Sequence, residues 1–365
     1  MKKSSNKPGF IKLDIFKAAG PISSITAIII GLLVGFIIML ISNSERAFEG
    51  LGWILGGGVQ SAKDFGNVLY YATPIIMTGL SVAFAFRTSL FNIGASGQFI
   101  MGAFGAVLVG VHGAALGPVQ WLVALLAAML FGALWALIPG LLQAYRNVNV
   151  VISCIMTNYI GMYLVNWMVK LTVYHQLTNR SLPVAQTANI PKLGLDTLFP
   201  DSSANGGIVI AAIAAIIIYI LLNKTTFGFE LKAVGFNRHA SRYAGINEKK
   251  CIVMSMLISG ALAGIGGGLL YLAGSGKYIA VEDILSPEGF TGISVALLGM
   301  SHPIGSLFAG LFIAYMIVGG SYMQLSGYVP EIIDIITAII IYFAAFALIL
   351  RSFLQRLRSR KGGNN

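Results

Sequence analysis

The sequence predicts an all-α protein that crosses a membrane many times. Of its 365 residues, 56% are hydrophobic and only 10% are charged, whereas a soluble domain has about 25% charged residues. The mean hydropathy of +0.82 likewise leaves too little polar surface to cover a water-soluble fold of this size. The 44 glycines show no three-residue period, which excludes collagen. Small residues at this frequency are typical of closely packed membrane helices.

About ten stretches are long and apolar enough to form transmembrane helices, since crossing the ~30 Å hydrocarbon core takes about 20 apolar residues. Two charge-free runs, of 58 and 42 residues, must each contain two crossings. The eighth helix is too short to span, so we expect a broken or half-depth segment there. The predicted helices cover residues 22–42, 67–86, 93–111, 118–142, 148–169, 206–223, 251–273, 288–301, 304–322 and 331–350.

The distribution of Lys and Arg predicts the orientation. With ten crossings both termini lie on one side, and eighteen of the 24 basic residues fall on that side. Cytoplasmic loops carry the excess of Lys and Arg. We therefore expect basic cytoplasmic tails at 1–21 and 351–365, a cytoplasmic loop at 224–250, and a transmembrane domain over 22–350. The net charge of +11 is explained by this topology and by attraction to anionic lipid of the bilayer. Binding of nucleic acid is the less favoured explanation of the basic tails.

No residues in the sequence have the spacing of a catalytic or metal site. The four histidines are dispersed, and Cys154 and Cys251 lie in apolar runs, where we expect small packed side chains. The segment Gly274–Lys277 ends like a phosphate-binding loop, but it lacks the first glycine and the final Ser or Thr. We therefore expect neither a metal site nor nucleotide hydrolysis in this chain.

Charged residues are also missing from the predicted middle of the membrane, where ion-coupled carriers usually keep a carboxylate or a basic residue. The nearest acid is Asp334, in a helix that begins at Pro330. Negative charge in a first turn complements the helix dipole, so we interpret Asp334 as part of a helix cap, with an ion site as the alternative.

The loop 224–250 contains a short helix with a signal at each end. Asn237 is a good N-cap and Gly245 a good C′ residue, so about two helical turns are expected between them. Two residues share a basic face by i,i+4 spacing and three form a small apolar face: Arg238 and Arg242, and Ala240, Tyr243 and Ala244. Such a helix fits docking into a groove on another protein. A solvated connector or a helix lying on lipid headgroups is the alternative.

Four segments occur in order between about residues 67 and 320. They read FNIGASGQ from Phe91, NVVISCIMTNY from Asn149, GFELKAVGFNRHASRYAGIN from Gly228, and GFTGISVALLG from Gly289. These segments resemble stretches of the binding-protein-dependent ABC importer permeases for simple sugars and nucleosides, the third being the coupling-helix region of that family. The chain is most similar to nucleoside permeases, and a permease for ribose or another simple sugar is the runner-up.

The resemblance implies a type II ABC importer-like bundle in a bacterial cell membrane, without catalytic activity or a cofactor of its own. A partner ABC ATPase would bind ATP and Mg. The other implied partners are a second permease, identical or more often non-identical, and an external solute-binding lipoprotein. A stand-alone secondary transporter is the alternative from another class, and the charge-free predicted mid-membrane argues against it.

In this mechanism the partner ATPases move the short helix of the loop, and the attached bundle exposes the solute path alternately to each face. We call its residues the coupling segment; they are Gly235, Asn237, Arg238, Ala240, Arg242, Tyr243, Ala244 and Gly245.

A nucleoside or sugar is neutral and rich in hydroxyl and amide groups, so its path needs uncharged hydrogen-bonding partners and aromatic faces. The candidate path residues are Asn158, Tyr159, Gln98, Asn166, Tyr70 and Thr73. The alternative role for such side chains is hydrogen bonding between membrane helices, at roughly 0.6 kcal/mol each. Ser96 and Thr291 stand where many relatives carry an acid, and each replacement removes a charge.

Three glycines recur every four residues in the seventh predicted helix: Gly260, Gly264 and Gly268. This spacing permits a close crossing with another helix. Static packing is the favoured role, and a sliding surface during alternating access is the alternative.

Overall fold

The structure is a computed structural model that describes residues 15–345. The first 14 residues, the predicted tail 351–365 and the end of the predicted helix 331–350 lie outside the described residues. The helices within the described range are α1 (Ile15–Ser42), α2 (Ala47–Gly56), α3 (Ala62–Phe86), α4 (Ala95–His112), α5 (Gln120–Arg146), α6 (Val150–Thr172), α7 (Leu195–Leu198), α8 (Gly207–Lys224), α9 (Thr226–Phe236), α10 (Arg238–Tyr243), α11 (Glu248–Tyr271), α12 (Pro287–Leu298), α13 (Pro303–Tyr322) and α14 (Pro330–Ala345). One antiparallel pair of short strands, β1 (Tyr174–His175) and β2 (Arg180–Ser181), lies between α6 and α7.

Each of the ten predicted helices has a counterpart, and these are α1, α3 to α6, α8 and α11 to α14. In the described part of the chain, seven helices are long and apolar enough to cross a membrane. They are α3, α4, α5, α6, α8, α11 and α13. The eighth predicted helix is α12, whose 12 residues make it only about 18 Å long. It is too short to span, as its sequence indicates.

Besides the four-residue α7, two helices have no counterpart in the sequence prediction. The first is α2, whose ten residues include three glycines, a composition that disfavours a helix in isolation. The second is α9, which lies inside the charged loop 224–250. Its N-cap is Thr225, the residue before the helix, whose hydroxyl accepts the backbone N–H of Gly228 at 3.0 Å. An N-cap of this kind stabilises the first turn.

The centre of the bundle is α11, which packs against α3, α4 and α5. Its glycines bring backbones together: a Cβ atom at Gly264 would lie 2.3 Å from the carbonyl oxygen of Ala128 in α5. At Gly260 the same atom would lie 2.3 Å from the Cβ of Ala136, and at Gly268 it would lie 2.9 Å from the Cβ of Ala128. This tight crossing fixes α11 against α5 and positions the ends of both helices.

Candidate solute path and coupling segment

The first turn of α12 lies near the middle of the bundle. The Thr78 hydroxyl donates to the carbonyl oxygen of Glu288 at 2.9 Å. Thr78 lies eight residues, or about 12 Å, before the end of α3 at Phe86. A point about 12 Å from a helix end is close to the centre of a ~30 Å hydrocarbon core. The half-depth helix α12 therefore begins near mid-depth, after the segment 274–286 has entered the bundle.

The start of α4 meets the start of α12 at this level. The Ser96 hydroxyl donates to the carbonyl oxygen of Ser286 at 2.8 Å. The contact is close because Gly289 has no side chain: a Cβ atom there would lie 2.4 Å from the Cα of Ser96. Ser96 thus bonds to the backbone of the segment that leads into α12.

Asn158 connects α6 to the start of α4. Its Oδ1 accepts the backbone N–H of Gly97 at 2.8 Å, and its Nδ2 donates to the carbonyl oxygen of Ile93 at 3.0 Å. The side chain is buried. Both ends of the amide have protein partners, which agrees with the interhelical hydrogen-bonding role. The expectation that Asn158 lines the solute path stays a prediction.

Four other candidate path residues also bond within the protein. Gln98 exchanges hydrogen bonds with Asn92, at 2.8 and 3.1 Å. Tyr70 and Ser275 are joined through their hydroxyl groups at 2.8 Å, and Thr73 donates to a carbonyl of its own helix at 2.8 Å. Asn166 donates to the carbonyl oxygen of Glu282 at 2.9 Å and to the carboxylate of Asp283 at 3.3 Å. The polar groups cited here already have a bonding partner in the protein.

Tyr159 differs, because its side chain is 50% exposed on the surface of α6. One turn further, Tyr163 is 56% exposed on the same face. These residues lie about 14 and 20 Å from the start of α6, which brackets the middle of the membrane. Within residues 15–345 neither hydroxyl has a hydrogen-bond partner. Tyr163 was not selected from the sequence, although its i,i+4 spacing from Tyr159 is a signal that could have found it.

Three carboxylates lie on the chain segment 282–288, which contacts Asn166 of α6. Glu282 and Asp283 are exposed beside Asn166, and Glu288 is partly exposed in the first turn of α12. The predicted absence of charge from the mid-membrane stays a prediction, and the position of Glu288 bears on it directly. Glu288 is the first residue of the predicted helix 288–301, and its backbone carbonyl lies at the level of Thr78 in α3.

We call the exposed and partly exposed polar residues of α6 and of segment 282–288 the polar wall. Its residues are Tyr159, Tyr163, Asn166, Glu282, Asp283 and Glu288. Asn166 joins the outer end of the segment to α6, and Ser96 with Gly97 joins its inner end to Asn158. A polar group in hydrocarbon has no partner and costs several kcal/mol, roughly 2–7 for a hydroxyl or amide. A water-filled path or a protein partner would supply hydrogen-bond partners for these polar groups. The same face of α6 also exposes the apolar side chains of Ile152, Met156, Ile160 and Trp167.

The coupling segment is folded as a capped helix. The side-chain oxygen of Asn237 accepts the N–H of Ala240 at 3.0 Å, and Gly245 has the left-handed φ of +83° that its C′ position requires. Tyr243 is 95% exposed, and Phe236, just before the cap, is 91% exposed. Two large aromatic side chains in water mark a surface suited to a protein partner.

The rest of the coupling segment adds positive charge to this surface. Arg242 is exposed and Arg238 partly exposed, and within the described residues neither has a carboxylate within salt-bridge distance. Arg238 also lines a polar cleft of about 370 Å³, together with Ser89, Phe91, Gln143, Asn147, Asn149, Val150 and Val151. Among the described residues no three metal-ligating side chains come together.

The sequence of this chain is similar to those of known transport proteins. A family model described as the permease component of a branched-chain amino acid transport system matches residues 65–345. The chain is 39% identical to the guanosine ABC transporter permease protein NupP of Bacillus subtilis, over 93% of this chain and 96% of that protein. It is 35% identical to the nucleoside ABC transporter permease protein NupB of Lactococcus lactis, over 92% and 93%. It is 31% identical to the glucose ABC transporter permease protein TsgB13 of Haloferax volcanii, over 92% and 88%. No solved structure matches the chain.

Proposed function

Since this chain belongs to the family of permease components typified by branched-chain amino acid transport systems, it is a multi-pass, non-catalytic subunit of an ABC importer, and we propose that its solute is a nucleoside. The observation that carries this proposal is the identity of 35–39% to a guanosine and a nucleoside permease across more than nine-tenths of the chain. The polar wall supports it, because a nucleoside combines a flat aromatic base with a hydroxylated sugar.

The solute path follows the polar wall in this proposal. The rings of Tyr159 and Tyr163 offer faces on which a base stacks, and the Glu288 carboxylate accepts hydrogen bonds from ribose hydroxyls. A second permease covers the wall from the other side, so that the path lies between two permeases. The second permease is a non-identical relative, since the nucleoside importers that the chain resembles commonly use two different permeases.

The remaining partners follow from topology. We expect α12 and the segment before it to make one crossing together, so that ten crossings put both termini and the coupling segment in the cytoplasm. A partner ATPase there binds ATP and Mg and contacts Phe236 and Tyr243. An external solute-binding lipoprotein delivers the nucleoside to the opposite face. The basic residues of the segments 1–21 and 351–365 favour attraction to anionic lipid. The path itself binds solute weakly, because tight binding in one state would hold back the return of the cycle.

A simple sugar is the second candidate solute, favoured by the similarity to the glucose permease TsgB13. Proteoliposomes containing the assembled importer, its binding protein and labelled guanosine distinguish the two. We expect unlabelled nucleosides to compete for uptake and ribose or glucose to have no effect. Uptake of labelled glucose that guanosine does not inhibit would overturn the nucleoside assignment and leave the permease assignment in place.

A further inference from the structure

The short segment 87–98 touches the coupling segment at one end. The Ser89 hydroxyl donates to the carbonyl oxygen of Gly235 at 2.6 Å. The backbones also meet directly, since a Cβ atom at Gly235 would lie 2.3 Å from the carbonyl oxygen of Arg87. Gly235 is two residues before Asn237, the N-cap of α10. The end of α9, directly before α10, is therefore in contact with Arg87 and Ser89.

The same segment holds both ends of the half-depth helix α12. Beyond its C-terminal end, Arg87 donates from Nε to the carbonyl oxygen of Ser301 at 2.8 Å. Before its N-terminal end, Ser96 donates to the carbonyl oxygen of Ser286 at 2.8 Å. Between these points, the Asn92 amide donates to Ser259 of α11 at 2.8 Å. Segment 87–98 thus links the turn after α12 to the chain that leads into α12.

The turn held by Arg87 has an unusual backbone. Met300 and Ser301 both have left-handed φ values, of +55° and +52°. Residues other than glycine rarely adopt this region, and when they do it is generally as single residues. Such a conformation persists only where the surroundings hold it in place. Arg87 is the side chain that bonds this turn to the segment touched by the coupling segment.

From these contacts we infer that Arg87 and Ser89 are positioning residues for energy coupling. They carry the movement of the coupling segment to the turn at Met300 and Ser301 and so to α12, whose first turn supplies Glu288 to the polar wall. This inference rests on the importer function proposed above. It adds to the coupling segment two residues outside it, which link the ATPase side of the protein to the solute path.

The test uses Ser89→Ala in the assembled importer, with solute uptake and ATP hydrolysis measured on the same proteoliposomes. Ser89 is exposed, so its hydroxyl contributes little to the core. We expect the solute moved per ATP to fall about fivefold, which is the effect of losing one neutral hydrogen bond. The amount of assembled complex and the rate of ATP hydrolysis should be unchanged. Ser89→Asn should restore coupling, because Asn keeps a donor and tolerates the φ of +54° at this position.

The matched control is Thr197→Ala. It removes a hydroxyl that donates to the Gly194 carbonyl at 2.7 Å in an exposed turn far along the chain from the coupling segment. The uptake per ATP should stay at the wild-type value in this variant. Arg87→Gln provides a second variant, with an expected loss in the same direction. If Ser89→Ala and Arg87→Gln both assemble and couple like the wild type, the inference is overturned. If instead the wild type itself shows no ATP-dependent nucleoside uptake, it is the proposed function that fails.

Discussion

The Oδ1 atom of Asn158 lies 2.8 Å from the backbone nitrogen of Gly97, and this hydrogen bond joins the middle of α6 to the first turn of α4. Gly97 has no side chain there, and a Cβ atom would lie 2.9 Å from the Cα of Asn158. The other half of the amide holds Ile93 in the chain that leads into α4. The start of α4 is therefore positioned by a polar side chain from a different membrane helix.

Replacement of Asn158 by Ala should lower the stability of the protein. It leaves the Gly97 N–H and the Ile93 carbonyl without their partner in a buried site, at a cost of about 1–3 kcal/mol. Thermal unfolding of the purified protein in detergent measures the effect. The control is Tyr159→Ala, one residue away on the exposed face, which should unfold like the wild type. Wild-type stability of Asn158→Ala together with lost uptake would instead indicate direct contact with the solute.

Replacement of Tyr163 by Ala should weaken nucleoside transport without changing assembly. The polar wall loses an aromatic face, and stacking of a base on such a ring contributes about 1–3 kcal/mol. We expect the KM for uptake to rise about tenfold at a stacking contribution near 1.4 kcal/mol, and Tyr163→Phe to keep most of the affinity. Phe308→Ala is the control, since Phe308 is an exposed aromatic residue on α13. An equal rise of KM in both alanine variants would argue against the polar wall as the path.

A methyl group at Gly264 should separate α11 from α5. The added Cβ atom would lie 2.3 Å from a backbone oxygen, which cannot move aside without shifting a helix. Overpacking of this kind costs about 1–3 kcal/mol. Gly52→Ala in α2 is the matched control, because no atom lies within 4 Å of its added Cβ. The midpoint of thermal unfolding should fall for Gly264→Ala only, and equal midpoints would contradict the packing role.

Protonation of His302 should destabilise the turn before α13. Its Nδ1 accepts the Gly305 N–H at 3.4 Å, which only the neutral ring can do. Burial, and next the charge of Arg87, lower the pKa of His302 below its usual 6.5. The stability that this neutral ring contributes is thus present in full above about pH 6.5 and is lost as the pH falls through the lowered pKa.

The variant His302→Asn tests whether protonation of His302 lowers the stability as the pH falls. Asn keeps a side-chain acceptor for the cap and removes the titration. We expect the unfolding temperature of the wild type to fall more than that of the variant between about pH 8 and pH 5. An equal fall in both proteins would show that His302 does not contribute to the pH dependence.

The helices were predictable from the sequence because a membrane span leaves a run of apolar residues that needs no tertiary information. The caps of α10 were also predictable, because Asn237 and Gly245 act within a few residues of their own positions and need no tertiary contact. The short length of α12 was predictable, but the contacts that hold its first turn at the level of Thr78 were not. These contacts join Thr78 and Ser96 to residues about 190 to 210 positions away.

The candidate path residues were likewise predictable only in part, because their roles depend on tertiary contacts. Polarity near mid-helix selected six residues, but it does not distinguish a side chain bonded to a neighbouring helix from one on a free surface. Asn158 and Gln98 prove to be bonded inside the protein, whereas Tyr159 lies on the exposed face. Glu288 was not among the selected residues, although the predicted half-depth helix begins at this position.

The central claim is that ATP hydrolysis drives nucleoside import through the coupling segment. Its most direct test is guanosine accumulation by proteoliposomes of the assembled importer, with and without ATP, in the wild type and in the double variant Phe236→Ala with Tyr243→Ala. We predict accumulation that requires ATP and that is lost in the variant together with binding of the ATPase. Accumulation that proceeds without ATP, or that is unchanged in the variant, would contradict the claim.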